Sequence, residues 1–467
     1  MLRGPLAPSF YNRPVEVTPG NVAPRILSRP EHIISRKNID PEALKVLYRL
    51  KNHGFLAYLV GGGVRDLLLG RRPKDFDVST SAHPQQVRKL FRNSFIVGRR
   101  FRLVHVRFGR KVVEVATFRR ASEPEDGDTL IRRDNTFGTP EEDAFRRDFT
   151  VNALFYDIAN FSVIDWVAGL GDLEARVIRT IGDPGVRFRE DPVRMLRAIA
   201  LAARLDFHVD PDTAEAIRFL RGEIVRSSLA RILEEFYKIL RQGQSRRTFE
   251  MLHEYGLLAY LLPEAHRAID DGGRALFDSL DRLDGYRNAG PADPDTLTNS
   301  LLAGSVLVPL EVPLKRVAAP NPSWRRRRGE AAPAEDLATE IAALGGEEDA
   351  EPQAPSPPPE IVLPFARRDL ERLRLTILAQ RRLREAESPS ARQALAAKTY
   401  FDEALRWLEI HGGPDGPDLA TRWRRVGRKA ESSTSGKLPR AAAEGEKKAT
   451  PRKRRRRRRR RPGTSAA

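Results

Sequence analysis

The chain has 467 residues, 40% of them apolar, no cysteine, and a formal charge of +19. The missing thiols exclude disulfides, thiolate metal sites and cysteine nucleophiles, and neither a long apolar span nor an apolar core in MLRGPLAPSFYNRP is found, so a soluble, cytoplasmic protein with no membrane partner is expected. A basic run from Arg452 to Arg461 leaves the rest of the chain at about +9, a balance that points to a polyanion, nucleic acid first.

In chain order, residues 1–35 are proline-rich and aperiodic and are expected to be flexible. Leu44, Val46, Leu47 and Leu50 predict a helix from Asp40 to Lys51, where the folded part is expected to begin. From about 55 to 185, β-branched runs alternate with helical stretches; Ala57–Val60, Phe76–Ser79, Leu103–Phe108 and Val112–Thr117 read as strands of a mixed α/β domain bounded at 36–185. The period then turns helical, through Met195, Ile199 and Ala202 and again through Leu229, Ile232, Phe236 and Leu240, which predicts all-helical segments at 186–265 and 266–311. Segment 312–360, rich in Pro, Ala, Glu and Arg, reads as an unstructured insertion or linker. Leu370, Leu373, Leu383, Leu405 and Leu408 predict further helix at 361–411, while 412–467, polar and ending in the arginine run, is expected to be disordered. The fold class is therefore α+β: an N-terminal α/β unit, an all-helical remainder and a disordered basic C-terminus.

Three glycines, Gly61, Gly62 and Gly63, stand between a strand and a helix, where backbone approaches a bound group closely and helix N–H groups favour an anion. No Gly-Lys-Ser/Thr follows, and Asp66 stands where a dinucleotide fingerprint needs its third glycine, so neither phosphate motif applies; a plain strand-to-helix turn is the alternative. Asp75 and Asp77, two residues apart, project from one face if both lie in a strand, and such a pair is tolerated in solvent or around a divalent cation such as Mg²⁺. An exposed loop is the competing reading. Glu114, on the opposite face of its strand from Val113 and Val115, is placed to complete a metal site.

Gly61-Gly62-Gly63-Val64-Arg65-Asp66 followed by Asp75-Phe76-Asp77 resembles the signature of the nucleotidyltransferases that group CCA-adding enzymes with bacterial poly(A) polymerases. Arg146-Arg147-Asp148-Phe149-Thr150-Val151-Asn152-Ala153-Leu154 resembles the family's arginine-aspartate motif, and Glu190-Asp191-Pro192-Val193-Arg194-Met195-Leu196-Arg197 its nucleotide-base motif. The resemblance implies a polymerase-β-like catalytic head at 36–185, a neck at 186–265 for the base and RNA, a helical body at 266–311 and RNA-binding helices at 361–411. It implies Mg²⁺ as cofactor, with ATP and RNA 3′ ends as substrates. Position by position, it implies that Asp191 and Arg194 read the base edge in place of a template, and that Arg65 and Arg197 face the triphosphate. Gly62 and Gly63 lie at the phosphate turn, Arg147 is a further nucleotide ligand, and Asp148 is an essential acid beside the metal-binding Asp75 and Asp77. Whether Glu114 or Asp148 is the third acid stays open. The residues alone also allow Asp191 as an N-cap ahead of Pro192, Asp148 as the cap of a helix starting at Phe149, and Glu190, Arg194 and Arg197 on one helix face.

Ile96 to His105 resembles the stretch that separates poly(A) polymerases from CCA-adding relatives, and Val113 to Arg119 matches the same group; after Arg119 the chain departs from the pattern in a short acidic segment expected to be a surface loop. No His-Asp pair suggests a phosphohydrolase domain. The expected activity is template-independent addition of AMP from ATP to RNA 3′ ends, with release of pyrophosphate, in mRNA processing and decay. CCA addition to tRNA is the alternative, and a catalytically inactive RNA-binding protein is the alternative of another class. The arginine run suits sequence-independent, salt-sensitive RNA binding, or is a solubilising tail without a catalytic role. A monomer is the default.

Overall fold

Short extended runs build an eight-stranded sheet in a computed structural model that describes residues 23–98, 102–120, 136–290, 296–312, 363–385 and 388–435. Its strands are β1 (Arg25–Leu27), β2 (Ala57–Val60), β3 (Asp77–Thr80), β4 (Ser94–Val97), β5 (Leu103–Phe108), β6 (Lys111–Thr117), β7 (Leu154–Asp157) and β8 (Ser162–Asp165), in the order β1-β8-β7-β2-β3-β6-β5-β4. The β3–β6 pair is parallel and the others are antiparallel. Val78, Val104, Val106, Val113 and Val115 turn one face into the main core, where Val46, Leu47 and Leu50 of helix α1 (Pro41–Asn52) and Val87 of α3 (Pro84–Leu90) meet them. In chain order α2 (Gly62–Leu68) comes between them and packs on β2, β7 and the turn at Thr150–Asn152. The opposite face carries a smaller cluster of Val60, Phe118, Ala144 and Phe155, beside which the functional cavity opens.

Helices α4 (Pro140–Phe145), α5 (Gly169–Ala175) and α6 (Pro184–Glu190) complete the α/β unit, and a two-stranded parallel pair, β9 (Val177–Ile178) with β10 (His208–Val209), straddles α7 (Val193–Leu205). The helical remainder follows as α8 (Pro211–Leu220), α9 (Leu229–Arg241), α10 (Ser245–Glu254), α11 (Leu258–Leu261), α12 (Pro263–Asp270), α13 (Arg274–Ala289) and α14 (Asn299–Leu307). It ends with α15 (Arg367–Glu385), α16 (Pro389–Ala396), α17 (Phe401–His411) and α18 (Gly416–Ser435). No described helix is long and apolar enough to cross a membrane.

Two expectations are corrected at the ends of the fold. The folded part begins ahead of α1: β1 pairs with β8, and Ile34 is 1% exposed. A three-residue edge strand is too short to show a period, which is why composition hid it. Beyond residue 412, α18 buries Ala420 and Trp423, and the Trp423 indole N–H donates to the Leu383 carbonyl at 2.9 Å. One large aromatic anchors a helix whose other residues read as a solvated tail. The expectations for residues 1–22, for most of 312–360 and for the Arg452–Arg461 run lie outside the described residues.

Asp165 holds the start of α5, its carboxylate accepting from the Val167, Gly169 and Leu170 amides at 3.0, 3.0 and 2.9 Å. A Cβ at Gly169 would stand 2.2 Å from the Thr150 carbonyl oxygen, which has nowhere to yield. Gly169→Ala is therefore expected to cost roughly 1–3 kcal/mol, read as a lowered thermal midpoint. An unchanged midpoint would show that the Thr150 turn gives way freely.

Candidate active site

β2 leads into Gly61, whose φ of +73° and ψ of −141° suit glycine alone, and α2 starts at the next residue. A Cβ on Gly61 would stand 3.3 Å from an Arg147 Nη, and one on Gly62 3.2 Å from an Arg65 Nη, so these two glycines leave room for two guanidinium groups. Both line a cavity of about 520 Å³, within the range of small-molecule sites. Gly63, expected with Gly62 at the phosphate, is not in the lining; its Cα packs toward the Asp75 carbonyl.

The parallel register pairs Val78 with Val115, which sets Asp77 and Glu114 side by side on the face turned from the core, both in the cavity wall. Burial pushes the Asp77 carboxyl up to about 6, and the negative charges of Glu114 and Asp75 add to this against Arg147. Glu114 is exposed at its outer side, with His105 Nε2 at 3.3 Å. Asp75 departs from expectation: β3 starts at Asp77, so Asp75 sits in the irregular segment before it, exposed and outside the cavity lining, and acts on Asp77 through its charge. The two carboxylates do not share a strand face, because the strand begins only at Asp77 and Asp75 lies in the irregular segment before it.

Arginine side chains are set by buried acceptors. Asp143, fully buried, receives Arg146 at 2.8 Å and Arg147 at 2.8 Å, and Arg147 also donates to the Ser79 hydroxyl at 3.2 Å and lies over the Phe155 ring. Arg65 donates to Asp66 at 2.6 and 2.9 Å and to the Asn152 side chain. Burial works against a charged Asp148, yet Arg197, the Asn152 amide and Arg194 outweigh it and hold the carboxyl below its ordinary value. Its ion pair with Arg197 measures 2.6 Å, and it accepts from the Phe149 amide at 2.9 Å; the helical turn here is a single 3₁₀ turn, Thr150–Asn152, rather than a helix starting at Phe149.

The second wall comes from α7 and α9. Pro192 takes the N-cap position of α7, and Asp191 closes α6 as its C-cap, its backbone N–H donating to the Arg187 carbonyl at 3.2 Å. The Asp191 carboxylate meets both Nη atoms of Arg231, at 2.7 and 2.8 Å. The chain breaks at Asp191-Pro192, so Glu190 ends one helix while Arg194 and Arg197 ride on the next, and the single-face reading fails. Glu190 nevertheless bridges Arg187 and Arg194, each at 2.9 Å. Arg187 donates to the Arg146 and Arg147 carbonyls at 2.7 and 2.6 Å, tying α6 to the arginine-aspartate segment.

Sequence reasoning missed Asp143, Asn152, Arg187 and the α9 stripe of Arg231, Glu235, Lys238 and Gln242, of which all but Asp143 and Arg187 line the cavity. The stripe was readable as a helical-period polar row opposite Ile232, Phe236, Ile239 and Leu240. Asp143 left no signal beyond an acid four residues from an arginine.

Residues 57–179 match the poly(A) polymerase head domain and residues 206–269 the probable RNA- and SrmB-binding site of polymerase A. Over these two segments the chain is similar to poly(A) polymerases and CCA-adding enzymes. It is 51% identical over 264 residues to poly(A) polymerase I of Salmonella typhimurium, covering 55% of this chain and 57% of that one. Against the CCA-adding enzyme of Lactobacillus helveticus it is 41% identical over 212 residues, 45% of this chain and 52% of that one. It thus spans about half the length of the curated relatives it matches. Among solved structures, the CCA-adding enzyme of Bacillus stearothermophilus in complex with CTP superposes with a TM-score of 0.54 at 27% identity, covering 84% of this chain and 83% of that one. Nucleotidyltransferases generally use divalent metals, and the chemistry at Asp77 fits one: the available donors are carboxylates, and the raised proton affinity of Asp77 is what a hard cation would offset.

Proposed function

We propose that this chain is a Mg²⁺-dependent poly(A) polymerase that adds AMP from ATP to RNA 3′ ends in the cytoplasm, without a template. The observation that carries the reading is the single cavity in which Asp77 and Glu114 face Arg65, Arg147 and Arg197 across from Asp191. Carboxylates beside guanidinium groups are what a triphosphate and an attacking hydroxyl require. The RNA 3′-hydroxyl oxygen bonds to the α-phosphorus, the bond to the bridging oxygen breaks, pyrophosphate leaves with its electron pair, and the hydroxyl proton passes to solvent or a carboxylate. Asp77 and Glu114, with Asp75 adding charge nearby, would hold Mg²⁺, which when bound would help activate the hydroxyl and neutralise the phosphates. Arg197, presented by Asp148, and Arg147, presented by Asp143, orient the triphosphate. Gly61 and Gly62 allow its close approach. Asp191 and Arg194 read the base, and Arg231, which now occupies both Asp191 oxygens, shapes that subsite.

Extension of a generic RNA and of a tRNA lacking its 3′ end, each with ATP alone or with CTP and ATP, tests the proposal. Long ATP-only tails on the generic RNA are expected. Addition of C, C and A to the tRNA alone would instead establish a CCA-adding enzyme, and RNA binding without extension a non-catalytic protein. Asp191→Ala is expected to reduce discrimination of ATP over CTP by roughly tenfold or more, in line with loss of a built hydrogen-bonding site; unchanged discrimination would remove Asp191 from base reading.

A further inference from the structure

Away from the cavity, His253 in the last turn of α10 meets His266 and Asp270 of α12, which lie one helical turn apart on the same face. No adjacent His-Asp pair in the sequence announces this cluster. Asp270 divides its two oxygens between the rings, Oδ1 at 2.7 Å from His253 Nε2 and Oδ2 at 3.7 Å from His266 Nε2. The imidazole centroids stand 4.5 Å apart with the planes inclined by 37°. One donor atom from each residue lies within 4.8 Å of the other two, and this is the group of metal-ligating side chains that converges in this way among the described residues. The site is open to solvent, the side chains being 27%, 28% and 54% exposed. None of the three residues lines the nucleotide cavity.

We propose that His253, His266 and Asp270 bind a divalent transition-metal ion, Zn²⁺ by preference, and so clip α10 to α12. Two imidazole nitrogens with one carboxylate oxygen are the donor set of borderline cations rather than of Mg²⁺, which takes oxygen ligands. Three protein ligands leave a position for water. The chain has no cysteine and eight histidines in all, so no thiolate site competes for the ion, and two of the eight meet here. Two helices joined through α11 and a tight turn at Gly256 are held close by chain connectivity already, and a bound ion adds a link that exists only when the fold is formed. The clip falls within the region matched to the RNA-binding model, Asp270 lying one residue past its end. The proposal does not depend on the reaction assigned to the head.

The test uses untagged, full-length protein stripped with a chelator and titrated with Zn²⁺ against a chromophoric competitor in Mg²⁺-containing buffer, with Co²⁺ absorption as a second readout. One equivalent is expected in the wild type. His253→Gln and His266→Gln, and Asp270→Asn at the most exposed ligand, are each expected to lower affinity by about tenfold or more. The thermal midpoint should rise with Zn²⁺ in the wild type alone. Should a histidine variant fail to match the wild-type circular dichroism, the Co²⁺ spectrum of the wild type and the Asp270→Asn affinity decide. Absence of saturable wild-type binding below about 1 mM, or equal binding by the folded variants, would overturn the site and leave a hydrogen-bonded His-Asp-His contact.

Discussion

Asp77→Asn is expected to remove nucleotide addition by roughly a thousandfold or more while making the metal-free protein more stable at neutral pH. The two effects have one cause. Burial, together with Glu114 and Asp75, raises the Asp77 carboxyl from 3.8 to about 6, so the folded state holds its proton more tightly than the unfolded chain does. Stability from this group is present below about 3.8 and is lost as pH rises through about 6. The displacement corresponds to roughly 3 kcal/mol at neutral pH, an upper figure for a half-buried group. Asparagine carries no charge and escapes the penalty, so thermal melts in chelator should favour the variant at neutral pH and show no difference near pH 4. Adding Mg²⁺ should raise the midpoint of the wild type and leave that of the variant in place. Extension at near wild-type rate, or an equal response of both proteins to Mg²⁺, would sink the assignment of Asp77 as a metal ligand.

Asp143→Ala is expected to cost about 3–5 kcal/mol, the loss that follows when one partner of a buried ion pair is removed. Asp143 is 0% exposed and anchors Arg146 and Arg147 together while accepting from the Arg119 amide. Its removal leaves two guanidinium groups with too few acceptors in a poorly solvated place. Burial opposes the charge of Asp143, but Arg147 and Arg146 outweigh it and depress the carboxyl below 3.8. Its contribution is therefore complete above the unfolded value of 3.8 and is lost only as pH falls through the lower folded value. The deficit of the alanine variant, measured by denaturant melts, should be level from about pH 5 to 8 and shrink below about pH 4. Nucleotide addition should fall as well, since Arg147 beneath Gly61 would lose its anchor. A deficit under about 1 kcal/mol would mean that water or a neighbour replaces the carboxylate.

Several features were legible because they repeat within one element. Leu103–Phe108 is the β5 strand as expected, and Val113 and Val115 face the core while Glu114 faces the cavity, as strict alternation requires. The glycine run marked a sharp strand-to-helix entry, although the position that needs positive φ is Gly61, not Gly62 or Gly63. Other features were hidden by their economy. β1 spends three residues on an edge, and α18 holds its place with little more than Ala420 and Trp423.

By itself, the sequence determined which residue types were available and which face of a strand or helix each would take, because those periods are properties of the local backbone. It also placed the two acidic strands, the glycine turn and the arginine-aspartate segment in one α/β unit. Tertiary structure alone decided that Asp77 rather than Asp75 enters the cavity, since β3 begins only at Asp77. It alone brought Arg231 of α9 onto Asp191, forty residues earlier, and Arg187 of α6 onto the carbonyls of Arg146 and Arg147. Such meetings depend on how whole elements pack against one another, and no local period in the chain encodes the distance between two helices.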